Sequence, residues 1–289
     1  MPISATPSDI ERFLAEDLPF GDLTTHLLGV GTLPGRIVFS TRHDTTLCCT
    51  EEAARVLVSC GASLTSCLPS GTTLGGGICF LTAEGSAAAL HAGWKVALNL
   101  IEYASGIATR TRAVVTAARK VNPDIAVLTT RKSFPGTRKI SIKAITSGGA
   151  LPHRLGLSES ILVFSQHTVF AGGLEAFLGT IPALRARAPE QKIIVEADNA
   201  DEALIIARAG VDVVQVDKMP AGELQILVAD IRKLGTEVKI SATGGINERN
   251  AAEYAATGVD MLVLSSVYHG TPADIAVAIT PNPTGGSKP

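Results

Sequence analysis

The sequence has little charge and no long apolar run. Charged residues make up 18% of its 289 residues and apolar residues 46%, which excludes a chain that stays disordered for want of a core. The formal net charge of −2 argues against nucleic-acid binding through bulk positive charge. No stretch reaches the roughly 20 consecutive apolar residues that span a bilayer. Any anion-binding site must therefore be local.

Targeting signals and zinc-binding cysteine patterns are also missing. Residues 1–9 have neither the basic start nor the apolar run of a secretory signal peptide, so we expect a cytoplasmic protein. The cysteines are odd in number, lie in the first third of the chain and match no zinc-site spacing. We expect five free thiols: Cys48, Cys49, Cys60, Cys67 and Cys79.

From about residue 124 onward, short β-rich apolar runs alternate with helical patterns such as 200–209 and 221–234. This alternation predicts βαβ units and a parallel sheet. Six such units in about 150 residues predict an incomplete α/β barrel of about six parallel strands; a doubly wound open sheet is the alternative. The expected strands are 125–130, 161–165, 192–197, 211–217, 238–243 and 261–266.

The first 105 residues or so predict a smaller α+β domain. We expect this domain at 1–105, the barrel at 106–272, and a C-terminal segment at 273–289 with a disordered Pro/Gly/Ser-rich end. Within the first domain, Asp22 falls in a polar turn. The expected elements are helices 3–15, 51–59 and 87–103 and strands 36–40 and 76–81.

Polar or charged residues follow nearly every predicted strand of the barrel. The carboxyl ends of parallel strands share one edge, where active sites of α/β proteins lie, so we expect these side chains to converge. In chain order they are Arg131 and Lys132; Ser165, Gln166 and His167; Glu196 and Asp198; Asp217 and Lys218; Thr243, Gly244 and Gly245; Ser265 and Ser266.

No acidic residue occurs between Asp124 and Glu159. Arginine suits bidentate recognition of carboxylate or phosphate, and lysine adds a point charge. We interpret this stretch as an anion site, with a solvated basic face as the alternative. Its basic residues are Arg131, Lys132, Arg138, Lys139, Lys143, His153 and Arg154.

Two carboxylates, Glu196 and Asp217, follow neighbouring strands. They could share Mg²⁺, which prefers oxygen ligands and bridges to substrate phosphates, or stabilise positive charge developing on a sugar. The alternative is helix N-capping, a role that Asp198 fits better because it lies just before the helix predicted at 200–209.

A glycine pair follows the fifth predicted strand. Thr243, Gly244 and Gly245 precede a predicted helix, and backbone N–H groups at a helix start can bind phosphate. Ser265 and Ser266 can add hydroxyls. The edge therefore suits a ligand with a terminal phosphate, a metal-bound polar middle and a second anionic group, and phosphoribosyl pyrophosphate has that form.

Eight segments resemble the type II phosphoribosyltransferases, whose best-known member is quinolinate phosphoribosyltransferase. The resemblance covers nearly the whole chain and implies their fold, a glycosyltransferase activity and a homodimer in which the partner's N-terminal domain covers each active site. The segments are EDLPFGDLTT, ALNLIEYASGIATRTR, TTRKSFPGTRK, GGALPHRLGLSESIL, IIVEADN, VVQVDKM, ISATGGI and TGVDMLVLSS.

The resemblance also implies roles for the matched residues. Lys132, with Mg²⁺, would draw off pyrophosphate, and Glu196 and Asp217 would hold the metal and the ribose and steady the reacting sugar. The substrate-binding residues would be Arg131, Arg138, His153 and Arg154 for the acceptor and pyrophosphate, and Thr243, Gly244, Gly245, Ser265 and Ser266 for the 5′-phosphate.

The chain departs from the quinolinate enzymes at the expected acceptor site. Tyr103 stands where they carry an arginine, Phe164 where they carry a lysine, Ser241 where they carry an acid and Lys218 where they carry an asparagine; a Trp-Lys pair at 94–95 replaces their Glu-Arg. These changes resemble the ModD branch of the family, which is associated with molybdenum transport.

The departures decide which activity the resemblance implies. We expect a phosphoribosyltransferase whose nitrogen-containing acceptor lies between Tyr103 and Phe164 and is flatter or less anionic than quinolinate. One alternative is a quinolinate enzyme of NAD synthesis. The other is a non-catalytic regulator that binds an anion.

Overall fold

The computed structural model describes residues 4–282. The helices are α1 (Pro7–Asp17), α2 (Leu23–Leu28), α3 (Thr50–Ser59), α4 (Ala87–Val121), α5 (Arg138–Ser147), α6 (Ser165–Thr168), α7 (Leu174–Leu178), α8 (Ile181–Arg187), α9 (Ala200–Arg208), α10 (Ala221–Lys233) and α11 (Ala251–Ala256), with 3₁₀ turns at Val169–Ala171 and Ser266–Tyr268. The strands are β1 (Pro34–Thr41), β2 (Thr45–Thr46), β3 (Ser63–Cys67), β4 (Thr73–Leu74), β5 (Cys79–Ser86), β6 (Ala126–Thr129), β7 (Leu151–Pro152), β8 (Ile161–Val163), β9 (Ile193–Ala197), β10 (Val213–Asp217), β11 (Lys239–Thr243), β12 (Met261–Leu264) and β13 (Ile275–Pro281).

The chain divides into two units. Among the described residues, the first contains 4–112, Phe134–Gly148 and 269–282, and the second contains Ala113–Ser133 and Gly149–Tyr268. The boundary expected near residues 105–106 falls inside the continuous helix α4.

The second unit is built on a seven-stranded parallel sheet in the order β7-β6-β12-β11-β10-β9-β8. The last strand pairs with the first, with Met261 opposite Ala126. Consecutive strands therefore follow one another around a barrel that is open between β7 and β8, and the incomplete-barrel prediction is confirmed over the open doubly wound sheet. All six predicted strands are present, and only the two-residue β7 was missed because so short a strand leaves no apolar run.

The barrel strands form because their side chains are covered on both faces. In each of the strands β9 and β10, four of the five residues are buried, as is typical of parallel strands beneath helices. Helix α10 buries one apolar stripe, which includes Leu224, Leu227 and Ile231. Helix α9 begins at Ala200 because the side chain of Asn199 accepts a hydrogen bond from the backbone N–H of Glu202 at 2.9 Å.

The expectation that Asp198 caps helix α9 is therefore wrong. Asn199 is the N-cap, one residue later. The backbone N–H of Asp198 instead donates to the carboxylate of Glu202 at 3.0 Å. Its own carboxylate is left available near the other acids of the strand edge.

The first unit contains a four-stranded antiparallel sheet, β13-β1-β5-β3, with helices, as an α+β prediction requires. Phe39 and Phe80 are fully buried in it, with ring centroids 6.4 Å apart. Strands β3 and β13 were not predicted. Strand β13 pairs with β1 over seven residues, from Ile275 to Pro281. The disorder expected at the end of the chain concerns residues 283–289, which lie outside the described residues.

Two helix bounds differ from the sequence prediction. Helix α1 begins at Pro7 because Thr6 and Asp9 form a reciprocal capping box, in which each side chain accepts a hydrogen bond from the other's backbone N–H. Helix α4 continues to Val121 rather than ending at 103, because Gly106 does not interrupt it. A Cβ at Gly106 would lie 2.9 Å from the carbonyl oxygen of Thr271, so the glycine allows close packing within this unit.

The described part of the chain has neither a disulfide bond nor a candidate membrane-spanning helix. All five cysteines are free thiols, as expected. None of the helices between residues 4 and 282 has both the length and the apolar composition needed to cross a membrane.

Candidate active site

A cavity of about 570 Å³ lies at the carboxyl ends of the barrel strands. It brings together all the predicted site residues that belong to the second unit. These are Arg131, Lys132, His153, Arg154, Phe164, Glu196, Asp217, Thr243, Gly244, Gly245, Ser265 and Ser266.

The other two predicted site residues, Tyr103 and Arg138, belong to the first unit. Tyr103 lies in helix α4 and lines a separate, more apolar cavity of about 530 Å³ together with Phe13, Leu100 and Phe134. Arg138 is the first residue of α5.

The acid-free stretch divides into two groups of basic residues. Lys139 and Lys143 form ion pairs inside the first unit: Lys139 with Asp9 at 2.8 Å, and Lys143 with Glu51 at 2.8 Å and Glu52 at 2.5 Å. Both lysines thus have acidic partners within the first unit, and neither lines the barrel cavity.

The basic residues of the second unit form one wall of the cavity. Arg131 and Lys132 follow β6, and His153 and Arg154 follow its neighbour β7, where the backbone N–H of His153 donates to Thr129 O at 2.9 Å. Burial lowers the pKa of His153, and the charge of Arg154 lowers it further. Burial and the charge of Arg131 likewise lower the pKa of Arg154.

The charges of Arg131 and Arg154 repel each other. Across residues 4–282, no ion pair within 4.0 Å involves Arg131, Lys132 or Arg154. The wall is therefore suited to bind an anionic ligand, which would relieve the repulsion.

The acidic wall is formed by Glu196 at the end of β9 and Asp217 at the end of β10. Burial raises the pKa of Glu196, and the charges of Asp217 and Asp198 raise it further, against a hydrogen bond from Gln215. That bond runs from Nε2 of Gln215 to Oε2 of Glu196 at 2.6 Å. The carboxylates thus lie close enough to repel one another, which favours binding of a cation or of developing positive charge.

Gln215 was missed by the sequence analysis. It is the one polar residue in the interior of the apolar strand β10, pairs with Glu196 in the ladder and is 4% exposed. Its Oε1 and the hydroxyl of its other ladder neighbour, Ser241, have no hydrogen-bond partner among the described residues. A lone glutamine in a buried apolar run was the available signal.

The third wall is the loop after β11. Gly244 and Gly245 have left-handed φ angles of 88° and 71°. The expectation of a helix start here is wrong, because helix α11 begins only at Ala251. A phosphate would meet loop N–H groups and the hydroxyl of Ser265. The hydroxyl of Ser266 donates to Ile246 O at 2.8 Å and orders the same loop.

Only glycine fits at position 244. A Cβ there would lie 2.5 Å from Oδ1 of Asp217 and 2.8 Å from the backbone nitrogen of Lys218. The loops after β10 and β11 are also joined directly, since the N–H of Lys218 donates to Thr243 O at 2.8 Å. The acidic wall and the glycine loop are therefore packed against each other and joined by a hydrogen bond.

Leu162 and Phe164 form an apolar floor in the cavity. Leu162 belongs to a buried cluster with Ile194 and Val213, against which Phe164 and Met261 pack. The ring of Phe164 stacks on His167 with centroids 5.7 Å apart, and its backbone N–H donates to Nδ1 of His167 at 3.0 Å. The cavity thus combines an aromatic surface with walls of opposite charge.

Two family models match the chain along most of its length. The "Quinolinate phosphoribosyl transferase, N-terminal domain" matches residues 22–105, and the "Quinolinate phosphoribosyl transferase, C-terminal domain" matches residues 107–278. The second match contains every residue of the cavity.

Relatives agree with the family models. The chain is 46% identical over 241 residues to a Rhodobacter capsulatus protein whose name, ModD, describes it as a candidate pyrophosphorylase, with 83% of this chain and 92% of that protein covered. It is 32% identical over 276 residues to a carboxylating nicotinate-nucleotide pyrophosphorylase of Mycobacterium leprae, covering 92% and 93%.

A solved structure of nicotinate-nucleotide pyrophosphorylase from Francisella tularensis superimposes with a TM-score of 0.86 at 25% identity, covering 97% of this chain and 99% of that one. Fold, cavity and similarity therefore agree. The chain belongs to the quinolinate phosphoribosyltransferase family of type II phosphoribosyltransferases, and the relatives that it resembles include ModD proteins of that family.

Proposed function

We propose that this phosphoribosyltransferase transfers the phosphoribosyl group of phosphoribosyl pyrophosphate to a nitrogen of an acceptor and releases pyrophosphate. The observation that carries the proposal is the arrangement of the barrel cavity: unpaired cations, paired carboxylates and a glycine loop meet at one strand edge. The donor has a counterpart for each wall, namely pyrophosphate, ribose and 5′-phosphate.

The residues suit Mg²⁺ as a cofactor. Glu196 and Asp217 would hold it, since they offer carboxylate oxygens, and burial together with the charge of Asp217 raises the pKa of Glu196. Among residues 4–282 no three His, Cys, Asp or Glu side chains are grouped to hold a metal, so water and donor oxygens would complete the shell. When bound, Mg²⁺ would neutralise charge on the leaving pyrophosphate.

The chain's own residues would divide the work of the reaction. Arg131 and Lys132 would bind the pyrophosphate as it leaves, because they are unpaired cations on one wall. Glu196 and Asp217 would stabilise positive charge on the ribose ring, and electrostatic stabilisation of this kind is usually the largest catalytic term. Gln215 would keep Glu196 in place through its 2.6 Å hydrogen bond.

The acceptor would be a planar nitrogen heterocycle that carries less negative charge than quinolinate. Phe164 presents an aromatic ring where the quinolinate enzymes carry a lysine, and the floor beneath it is apolar. A dicarboxylate would lack that cation, and an underpaired buried charge is costly. Arg131, His153 and Arg154 remain for one anionic group.

A link to molybdenum transport is part of the proposal on the strength of the ModD name alone. The rival activity, phosphoribosylation of quinolinate for NAD synthesis, is disfavoured by Phe164 and by Tyr103. The rival of a non-catalytic regulator is disfavoured by Glu196 and Asp217, since a pure anion-binding site would be weakened by two carboxylates.

The decisive experiment follows pyrophosphate release by phosphorus NMR with Mg²⁺, phosphoribosyl pyrophosphate and either quinolinate or a panel of less anionic heterocyclic bases. We expect release with a member of the panel and little with quinolinate.

Glu196→Gln should lower kcat by about 10²–10³-fold, and exposed Glu223→Gln is the control. Release with quinolinate at comparable rates would establish the NAD-synthesis activity, and donor binding without release under any condition would favour the regulator.

The same variant tests the cause of the lost activity. The folded chain raises the pKa of Glu196, so the wild type loses stability as pH rises from the unfolded value near 4.5 through the raised value. The Glu196→Gln variant lacks this pH-dependent loss of stability, because glutamine does not ionise. Urea unfolding should therefore show the variant at least as stable as wild type at pH 7, with the difference shrinking toward pH 4; a variant less stable at pH 7 would point to misfolding.

Gly244→Ala should damage the donor site through its contacts with Asp217 and Lys218. A left-handed alanine costs about 1–2 kcal/mol, and the overlap adds about 1–3 kcal/mol. Calorimetric titration with phosphoribosyl pyrophosphate should show at least tenfold weaker binding. Gly210→Ala is the matched control, because Gly210 has φ 81° with open space at its Cβ; it should lose stability but keep donor affinity. Unchanged affinity in Gly244→Ala would contradict the site.

We also propose a homodimer. Phe20, Leu23, Leu27 and Leu28 are at least 68% exposed at and beside α2, and an apolar patch of this kind is typical of an interface. Sedimentation should give about twice the chain mass of 29.9 kDa. Leu27→Asp should weaken the association, whereas Ile226→Asp, an exposed control in α10, should not. A monomer at all concentrations would exclude the dimer.

A further inference from the structure

A lysine lies in the part of the cavity that the proposed function leaves for a divalent cation. Nζ of Lys218 is 2.7 Å from Oδ2 of the adjacent Asp217. The ammonium therefore pairs directly with one carboxylate of the acidic wall, and the other, Glu196, lines the same cavity.

The backbone holds this lysine in an unfavourable conformation. Lys218 has φ 56°, and within residues 4–282 only Cys49 is another non-glycine residue with positive φ. This conformation is unfavourable for an L-residue with a long side chain and less so for asparagine. The N–H of Lys218 holds the conformation by donating to Thr243 O. A turn that needed only the backbone shape would be more stable with glycine or asparagine.

The neighbouring loop leaves room for the lysine side chain. A Cβ at Gly244 would overlap Cγ of Lys218, so the absence of a side chain at 244 lets the lysine run across the glycine loop. The left-handed backbone, the open position at 244 and the ion pair all direct the ammonium to the Asp217 carboxylate.

We propose that Lys218 is a built-in counterion of Asp217 that competes with the divalent cation and makes metal binding depend on the donor. A metal ion needs the same carboxylate and is repelled by the ammonium. A bound donor brings phosphate oxygens that can accept the ammonium and free Asp217 for the metal. The inference rests on the proposed function, and Lys218 acts in it as a positioning residue.

The first measurement is of metal binding to the free protein, without donor or acceptor, so it does not depend on turnover. Mn²⁺ is titrated into the free protein and unbound Mn²⁺ is read by electron paramagnetic resonance. Lys218→Asn should bind Mn²⁺ about twofold to fivefold more tightly than wild type, as expected for loss of an exposed ion pair. With phosphoribosyl pyrophosphate present, the difference should shrink. Asparagine tolerates positive φ, so the variant should unfold no earlier than wild type.

Lys233→Asn is the matched control. Lys233 lies in the same unit, is 75% exposed against 77% for Lys218, and pairs with Asp230 at 2.8 Å. Its loss should leave Mn²⁺ affinity unchanged. Lys218→Arg, which keeps the charge, should bind Mn²⁺ as weakly as wild type.

Two results would overturn the inference: equal Mn²⁺ affinity in Lys218→Asn and wild type, or tight binding by Lys218→Arg. The absence of Mn²⁺ binding in every variant would also contradict it. Failure of the proposed function is distinguishable through the double variant that carries both Lys218→Asn and Asp217→Asn. The second substitution should abolish the tighter Mn²⁺ binding gained by the first. If the double variant keeps that binding, the metal is not at these carboxylates.

Discussion

The pairing of the last barrel strand with the first is the constraint on which the site depends. Strand β12 lies parallel to β6, with Leu264 opposite Thr129. Just beyond this register, the hydroxyls of Thr129 and Tyr268 lie 2.9 Å apart and join the two strand ends. The loop with Arg131 and Lys132 is thereby set beside the loop with Ser265, although more than 130 residues separate them in sequence. Without this pairing the walls of the cavity would not meet.

The cavity buries ionisable groups of like charge near one another. Burial is the main cause of the lowered pKa values of His153 and Arg154 and of the raised value of Glu196, and like-charged neighbours add to each shift, so the charged forms of these groups are less stable here than in water. Active sites commonly show such shifts, and the cost in stability is a usual consequence of function. A ligand with negative charge at two places and positive charge developing between them would stabilise the charged forms of all three side chains. This is the charge pattern of phosphoribosyl transfer.

The sequence predicts the barrel well because each strand is a continuous apolar run that ends in polar residues, as in the segment from Ile193 to Asp198. It predicts the edge of the sheet, and hence the cavity, by the same rule. Local details are less well predicted. Asn199 rather than Asp198 caps α9, since both residue types are good caps and only the backbone decides between them.

Long-range contacts are beyond a reading of local patterns. The basic stretch suggests one site, yet Lys143 pairs with Glu51 and Glu52, which lie about 90 residues away. Gln215 acquires its role only when β9 and β10 pair. The left-handed backbone of Lys218 follows from its hydrogen bond to Thr243 on the next strand. In each case the deciding partner is distant in sequence.

Hydrogen–deuterium exchange of the protein with Mg²⁺, with and without phosphoribosyl pyrophosphate, tests whether the strand edge binds this compound. We expect slower exchange after donor binding in the loops that follow β6, β9, β10, β11 and β12, with β1 and β13 unchanged. Equal exchange at those loops, with the donor at saturating concentration, would show that the donor does not bind at the strand edge.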